Sequence, residues 1–155
     1  MNKCDFCAEN ISLGFKDRKY INIDDFIIAM PRHPYHESHL LIFDSRSHKH
    51  FLHDFTDDRF INLKRIITIL HNEYTDKLSG YKGYNLSSNN GDKSIGQHLD
   101  HAHIHLFMRF DNESISPFER MNQSKGLNIN DIDKEILKTI DDIFTISKVM
   151  YEVKS

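Results

Sequence analysis

Three histidines on alternate positions, His101, His103 and His105, interrupt an otherwise apolar run, HLDHAHIHLFMRF over residues 98–110. Side chains alternate across a β-strand, so a strand here sends the three imidazoles to one face and Ala102, Ile104 and Leu106 to the other. The apolar side can bury against a core, which leaves the imidazole side to meet metal, phosphate or solvent. A single strand histidine is ordinarily a surface or hydrogen-bonded residue. Three on one face bring two further chemistries into view. Alternate strand positions can supply two zinc ligands. A neutral imidazole, with a pKa of about 6.5, can instead attack phosphorus or carbonyl centres at neutral pH while its neighbours manage protons. Just upstream, NNGDKSIGQ over residues 89–97 offers Gly91 and Gly96 for tight turns and unhindered N–H groups, the kind of loop that cradles phosphate oxygens. A second reactive group is the pair Cys4 and Cys7, the only cysteines in the chain. In a reducing compartment their spacing points to metal binding or redox chemistry rather than to a structural disulfide. With no other thiol, a closed tetrahedral metal site has to recruit histidines.

These groups need a frame. RKYINIDDFIIAM, residues 18–30, predicts two short strands broken at Asp24-Asp25, after which Pro31 and Pro34 stop the pairing. SHLLIFDS, residues 38–45, predicts a third strand whose continuous apolar centre expects cover on both faces. From Thr56 the period changes: Phe60, Leu63, Ile67, Leu70, Tyr74 and Leu78 fall at helical spacing. Thr56 is the N-cap, Asp57 and Asp58 sit at the positive end of the dipole, and Gly80 lies just past the end. YKGYNLSSN, residues 81–89, reads as a fourth strand and the histidine segment as a fifth. A polar stretch over 111–128 reads as a surface loop. Residues 129–151 read as a second helix, with Ile132, Ile136, Ile140, Ile143 and Met150 on one stripe, widened by Leu137, Phe144 and Tyr151. Strands, a helix, two more strands and a final helix predict an α+β sheet with the helices on one face.

The length of 155 residues suits one domain over 1–155, with an N-terminal knuckle at 1–10, a core at 18–110 and a C-terminal helical extension at 129–151. Twenty basic against 23 acidic residues give a net charge of −3 with no Lys/Arg run, so general nucleic-acid binding is not expected. No apolar run approaches the roughly 18 residues that span a bilayer, and MNKCDFCAEN lacks the pattern of a signal peptide. A cytoplasmic protein without a membrane partner is the expectation.

GQHLDHAHIHLF resembles the signature of the histidine triad (HIT) family of nucleotide-binding hydrolases and transferases. Three other stretches agree with it. CDFC resembles the zinc-binding Cys-x-x-Cys that opens many bacterial members, and PYHESHLLIF resembles the Pro-Tyr-x-x-Gly-His-Leu segment of their third strand. SHKHFLHDFTDD resembles the family's His-x-x-x-Leu-x-Asp-Leu-Thr approach to its long helix. The motifs keep family order over roughly residues 4 to 110.

The resemblance implies a five-stranded antiparallel sheet with a long central helix and a C-terminal helix. By position, His103 matches the nucleophile that displaces a leaving group from the α-phosphate of a nucleotide. His105 and His39 match the histidines that border that phosphate, where as cations they would offset charge. Gln97 matches the glutamine that contacts the scissile bridging atom, and Asn90 lies near a polar position that contacts the phosphates. Matching zinc-bearing members selects Cys4, Cys7, His48 and His101 as ligands of a structural Zn2+, with His50 and His53 standing close to His48 in sequence. A homodimer is also implied. Three positions depart from the pattern. Pro31 replaces the Asn or Asp that binds the ribose hydroxyls, Ser38 replaces a Gly, and His98 replaces a small hydroxyl residue beside the phosphate site. The expected function is hydrolysis of a phosphoanhydride or phosphoramidate bond through a nucleotidyl-histidine. The alternatives are a zinc-stabilised nucleotide-binding module with little turnover and a nucleotidyltransferase using the same intermediate.

Overall fold

The computed structural model describes residues 4–123 and 126–154. Residues 1–3 of the expected knuckle, 124 and 125 of the expected loop and residue 155 lie outside the described residues. A hairpin of β1 (Tyr20–Ile23) and β2 (Phe26–Ala29) leads to β3 (His39–Asp44) and the long helix α2 (Asp57–Lys77). Then come β4 (Tyr81–Ser87), β5 (His103–Phe110), the short helix α3 (Pro117–Asn122) and the terminal helix α4 (Lys134–Lys154). A single turn, α1 (Ile11–Gly14), precedes them all. The five strands form one antiparallel sheet in the order β1-β2-β3-β5-β4.

The hairpin turns at Asp24 and Asp25, whose φ angles of 49° and 62° match a turn with two positive-φ residues, a conformation that suits the right-handed twist of paired strands. Asp tolerates it because its short side chain bonds locally. Here Arg59 Nη1 and Asn62 Nδ2 donate to the Asp24 carboxylate at 2.7 and 2.6 Å. Arg59 also donates to the buried carboxylate of Asp44 at 2.7 Å, so α2 is latched to the β1–β2 turn and to the end of β3.

Alternation divides the sheet cleanly. Ile28, Leu40, Ile42, Ile104, Leu106 and Met108 face the core under α2 and α4. Ile27, Ala29, Leu41 and Phe43 face the other way and are covered by Phe6, Ile11 and Phe15 from the N-terminal segment. The two long helices share one face as expected, but the opposite face is not left open. The apolar residues of β2 and β3 on that side need a cover, and the residues around Cys4 and Cys7 supply it.

Two element boundaries differ from the sequence expectation. α4 starts at Lys134, because Asn128 caps a separate 3-10 turn at Ile129–Asp131 and the Asp133 carboxylate then accepts from Glu135 N at 2.7 Å. The loop at 111–128 contains α3, started by Ser116 as cap and Pro117 in the first turn. α4 packs on α2 and β1. Among the described residues no helix is long and apolar enough to cross a membrane.

Ser38, one of the three departures from the family pattern, has a structural role. Its hydroxyl lies 3.0 Å from that of Tyr74, a fully buried tyrosine of α2. A buried hydroxyl left without a partner is costly, so serine here lets a tyrosine occupy the core. Tyr74→Phe is expected to lower stability by about 1 kcal/mol in urea denaturation, with the slope against urea unchanged.

Candidate active site and metal centre

The β3–β5 register assembles the histidine face. His39 stands opposite Phe107, Leu41 opposite His105 and Phe43 opposite His103. All six therefore share one side of the sheet, while Leu40–Leu106 and Ile42–Ile104 pair on the core side. His101 departs from the expectation that all three triad imidazoles ride on the strand, because β5 begins at His103. The chain bends before that point, which lets the His101 carbonyl accept from the ring of His103. The imidazole face, expected to be left to meet metal, phosphate or solvent, is covered. His39 is 1%, His101 1% and His103 5% exposed, and the Phe6 ring, stacked 3.9 Å from Phe43, meets the His101 and His103 rings edge-on.

The hydrogen-bond network assigns the tautomers. His103 Nδ1 donates to the His101 carbonyl at 2.8 Å, so its proton is on Nδ1 and the lone pair on Nε2. Burial holds its pKa below the ordinary value, against the opposing pull of that hydrogen bond, and keeps the ring neutral. Tyr35 N donates to His39 Nδ1 at 3.1 Å, which places the His39 proton on Nε2. That N–H donates to His105 Nδ1 at 2.9 Å, which in turn places the His105 proton on Nε2. One backbone amide thereby sets both rings.

The expectation that His39 and His105 are cations is corrected here. Burial and then the neighbouring imidazoles push His39 well below its ordinary pKa. The same causes, with His103 as the neighbour, bring His105 down to about 4. A second proton on either ring would set two N–H groups against each other, so the pair is neutral and acts by hydrogen bonding.

The metal-capable group lies at the start of this face. Cys4, Cys7, His48 and His101 bring their ligand atoms within 4.8 Å of one another. Cys4 Sγ is 3.4 Å from His101 Nδ1, and Cys7 Sγ is 3.4 Å from His48 Nδ1. A tetrahedral site with metal–S bonds of about 2.3 Å and metal–N bonds of about 2.0 Å has S···N edges of about 3.5 Å, so the spacing fits. His101 Nε2 donates to the Asp44 carbonyl at 2.8 Å, which turns the Nδ1 lone pair toward the thiols, as an outer hydrogen bond does for a metal-ligating histidine. The all-antiparallel sheet offers no βαβ setting for a redox Cys-x-x-Cys.

The HIT domain family profile matches residues 15–112, well over half of the chain. The chain belongs to the HIT family. An uncharacterized HIT-like protein of Methanocaldococcus jannaschii is 25% identical over 138 residues, covering 86% of this chain and 98% of that one. Among solved structures, a Zn-bound histidine triad family protein from Mycobacterium smegmatis superposes with a TM-score of 0.67 at 18% identity, covering 99% of this chain and 98% of its own. A HIT family hydrolase from Clostridium thermocellum gives 0.54 at 22% identity, with 74% and 97% covered. At these identities the two structures establish the shared fold.

Within the HIT fold the glycine loop is built by its own polar side chains. Asp92 caps a 3-10 turn at Lys93–Ile95, and Gly96 ends it with φ of 94°, a left-handed conformation that favours glycine. Gln97, 4% exposed, accepts from Gly91 N at 2.7 Å and donates to the His50 carbonyl at 2.9 Å. That uses one of its two N–H groups and one lone pair, leaving one of each. Asn90 Oδ1 accepts from Leu52 N at 2.7 Å and its Nδ2 donates to Ser88 Oγ at 3.1 Å. His98 is exposed. Sequence reasoning did not single out Phe6, Tyr35 or the carbonyls of Asp44 and His50. The last three act through backbone atoms, which carry no side-chain signature. A cavity of about 520 Å³ lies apart from the triad, between the loop after β5 and α4, with Phe110, Arg120 and Ile136 in its wall.

The tautomer chain has a pH consequence. Unfolded imidazoles take up protons near pH 6.5, whereas folded His105 does so only near 4 and His39 well below its ordinary value. The unfolded chain therefore binds more protons across this window. The stability these residues contribute is complete above about pH 6.5 and is lost as pH falls toward 4. The urea midpoint is expected to drop between pH 7 and pH 5. With the metal content held the same, His39→Gln/His105→Gln should show a shallower drop; an equal drop would place the titrating groups elsewhere.

Proposed function

We propose that this HIT protein cleaves a phosphoanhydride or phosphoramidate bond at the α-phosphate of a nucleotide, with a dinucleoside polyphosphate or a nucleoside phosphoramidate as substrate. The observation that carries the reading is the pinned tautomer of His103, a buried neutral imidazole with its lone pair on Nε2. Nε2 attacks the α-phosphorus and the P–O or P–N bond to the leaving group breaks; a phosphate departs as its anion, and an amine departs with a proton taken from solvent. The ring then carries positive charge, which the hydrogen bond from Nδ1 to the His101 carbonyl stabilises. Water attacks the same phosphorus and gives up a proton to solvent, which releases the nucleoside monophosphate and restores the neutral imidazole. His105 Nε2–H is a neutral donor for the phosphoryl oxygens, and His39 fixes its tautomer. Gln97 has one N–H and one lone pair left for the bridging atom, and its other bonds hold the glycine loop.

Zinc is the metal we assign to Cys4, Cys7, His48 and His101, on the donor set and its tetrahedral spacing. Burial, and then Cys4 beside it, push the Cys7 thiol up to about 11, so without metal that thiol keeps its proton and a divalent cation would displace it. Its role would be structural, tying the N-terminal segment to the triad strand. The thiol pair also supports a reducing, cytoplasmic compartment. A homodimer is supported by β4, an edge strand with Tyr84 and Leu86 42% and 47% exposed.

One observation favours the binding-module reading: His103 lies under Phe6 and only 5% exposed. Intact-protein mass spectrometry after brief mixing with an adenosine phosphoramidate or a diadenosine polyphosphate tests the choice. A transient adenylyl mass shift with product release supports the enzyme, and the better substrate names the leaving group. Nucleotide binding with neither adduct nor product supports the module. Adding phosphate or a sugar phosphate distinguishes transfer from hydrolysis by the product formed.

A further inference from the structure

Four of residues 48–52, namely His48, Lys49, His50 and Leu52, join the metal cluster, the approach to the triad strand and the glycine loop. His48 Nδ1 is 3.4 Å from Cys7 Sγ. The next carbonyl, of Lys49, accepts from Ala102 N at 2.6 Å, between His101 and His103. The His50 carbonyl accepts from Gln97 Nε2 at 2.9 Å, and its ring meets the Asp100 carboxylate. Leu52 N donates to Asn90 Oδ1 at 2.7 Å.

No residue from Arg46 to Asp54 is buried; the chain re-enters the core at Phe55. Apolar packing reaches it only at its end, where the partly buried Leu52 rests against the core. From His48 to His50 its position is set by these polar anchors, and one of them is a metal ligand.

We propose that residues 48–52 couple the metal cluster to the glycine loop, so that zinc and a nucleotide phosphate bind cooperatively, with Asn90 as the positioning residue that completes the link. The proposal rests on the zinc and nucleotide readings above. Metal bound to His48 holds the start of the segment. The His50 carbonyl and the Leu52 amide then stay where Gln97 and Asn90 need them, and the loop keeps its N–H groups arranged for phosphate. Asn90, expected from the resemblance to contact phosphates, acts in this reading through Leu52.

Coupling between two binding sites is reciprocal: whatever factor zinc adds to nucleotide affinity, nucleotide adds to zinc affinity. AMP affinity is measured by calorimetry on zinc-loaded and stripped protein, and zinc affinity by chelator competition with and without AMP. The expected result is one factor of about fivefold or more in both directions, within the usual range for such coupling. In Asn90→Ala both factors fall to about one, while zinc affinity without AMP stays at the unsubstituted value. A factor of one in the unsubstituted protein overturns the coupling, as does full coupling in Asn90→Ala.

If zinc-loaded protein does not bind AMP, the nucleotide reading has failed, and hydrogen exchange of amides 89–97 decides the coupling instead. Faster exchange on zinc removal supports it, and equal exchange overturns it. If stripping the metal unfolds the chain, zinc-loaded Asn90→Ala serves in its place. Faster exchange of its loop with zinc still bound supports the link, and unchanged exchange overturns it. If zinc does not bind at all, the metal reading and the coupling fall together.

Discussion

His103→Ala is expected to keep nucleotide binding within about tenfold of the unsubstituted protein and to lose turnover by about 10⁴-fold or more, the scale seen when a covalent nucleophile is removed. The physical ground is that no other imidazole on this face can take over. His105 has its Nδ1 occupied by His39, His39 has its Nδ1 occupied by Tyr35 N, and His101 directs Nδ1 to the thiols. The remaining ring nitrogens of His39 and His101 donate to fixed partners, and that of His105 carries a proton. Of these four rings, only His103 Nε2 keeps a lone pair free of an assigned partner. The alanine also removes the ring that meets the edge of Phe6, so His103→Asn is the companion variant, with the melting curve of each as the control for folding. Single-turnover mixing followed by mass spectrometry is the decisive readout. An adduct that persists in both variants would move the nucleophile to another residue and overturn the assignment of His103.

Removing the zinc proposed for Cys4, Cys7, His48 and His101 is expected to give the largest change in stability. At a free zinc concentration about a thousand times the dissociation constant, binding to the folded state alone adds about 4 kcal/mol. For a chain of this size 1 kcal/mol corresponds to roughly 2–4 °C, so chelation should lower the melting temperature by about 8–16 °C. Phe6 stands between the two cysteines and Ile11 and Phe15 follow them, so the residues released first are those that cover Leu41 and Phe43. Calorimetric scans with and without chelator check this. Cys4→Ser should reproduce the chelated scan and respond little to chelator. A Cys4→Ser protein as stable as the zinc-loaded form would remove the metal from the fold's support.

Much of the frame was legible because it is written in local geometry. Asp24-Asp25 between two apolar runs marks a hairpin whatever the rest of the chain does, since the turn needs two residues that accept positive φ. The helix with Leu63, Leu70 and Tyr74 on its core face and the alternation from Ala102 to Met108 follow from the helix and strand repeats alone, but the expected stripe was rotated: Phe60 is exposed and Ile66 and Ile69 are buried. The start of β5 was less legible. His101 keeps the alternating pattern, yet the chain bends there, and its ring is drawn to two cysteines some 94 and 97 residues earlier. The start of α4 was blurred for a local reason, as Ile129 and Ile132 continue the apolar pattern through a 3-10 turn.

By itself the sequence determined which reactive groups exist and in what order: two thiols, a glycine loop, and histidines spaced to share one side of a strand. It also determined the helix and strand periods that present them, because those depend only on backbone geometry. The tertiary structure decided the chemistry of each group. Whether His39 and His105 are cations or a neutral hydrogen-bonded pair depends on burial and on one amide, that of Tyr35. Among His48, His50 and His53, it is His48 that brings its Nδ1 to Cys7, through a contact spanning 41 residues. Desolvation and long-range contacts set protonation and ligation, and both arise only when distant segments pack together.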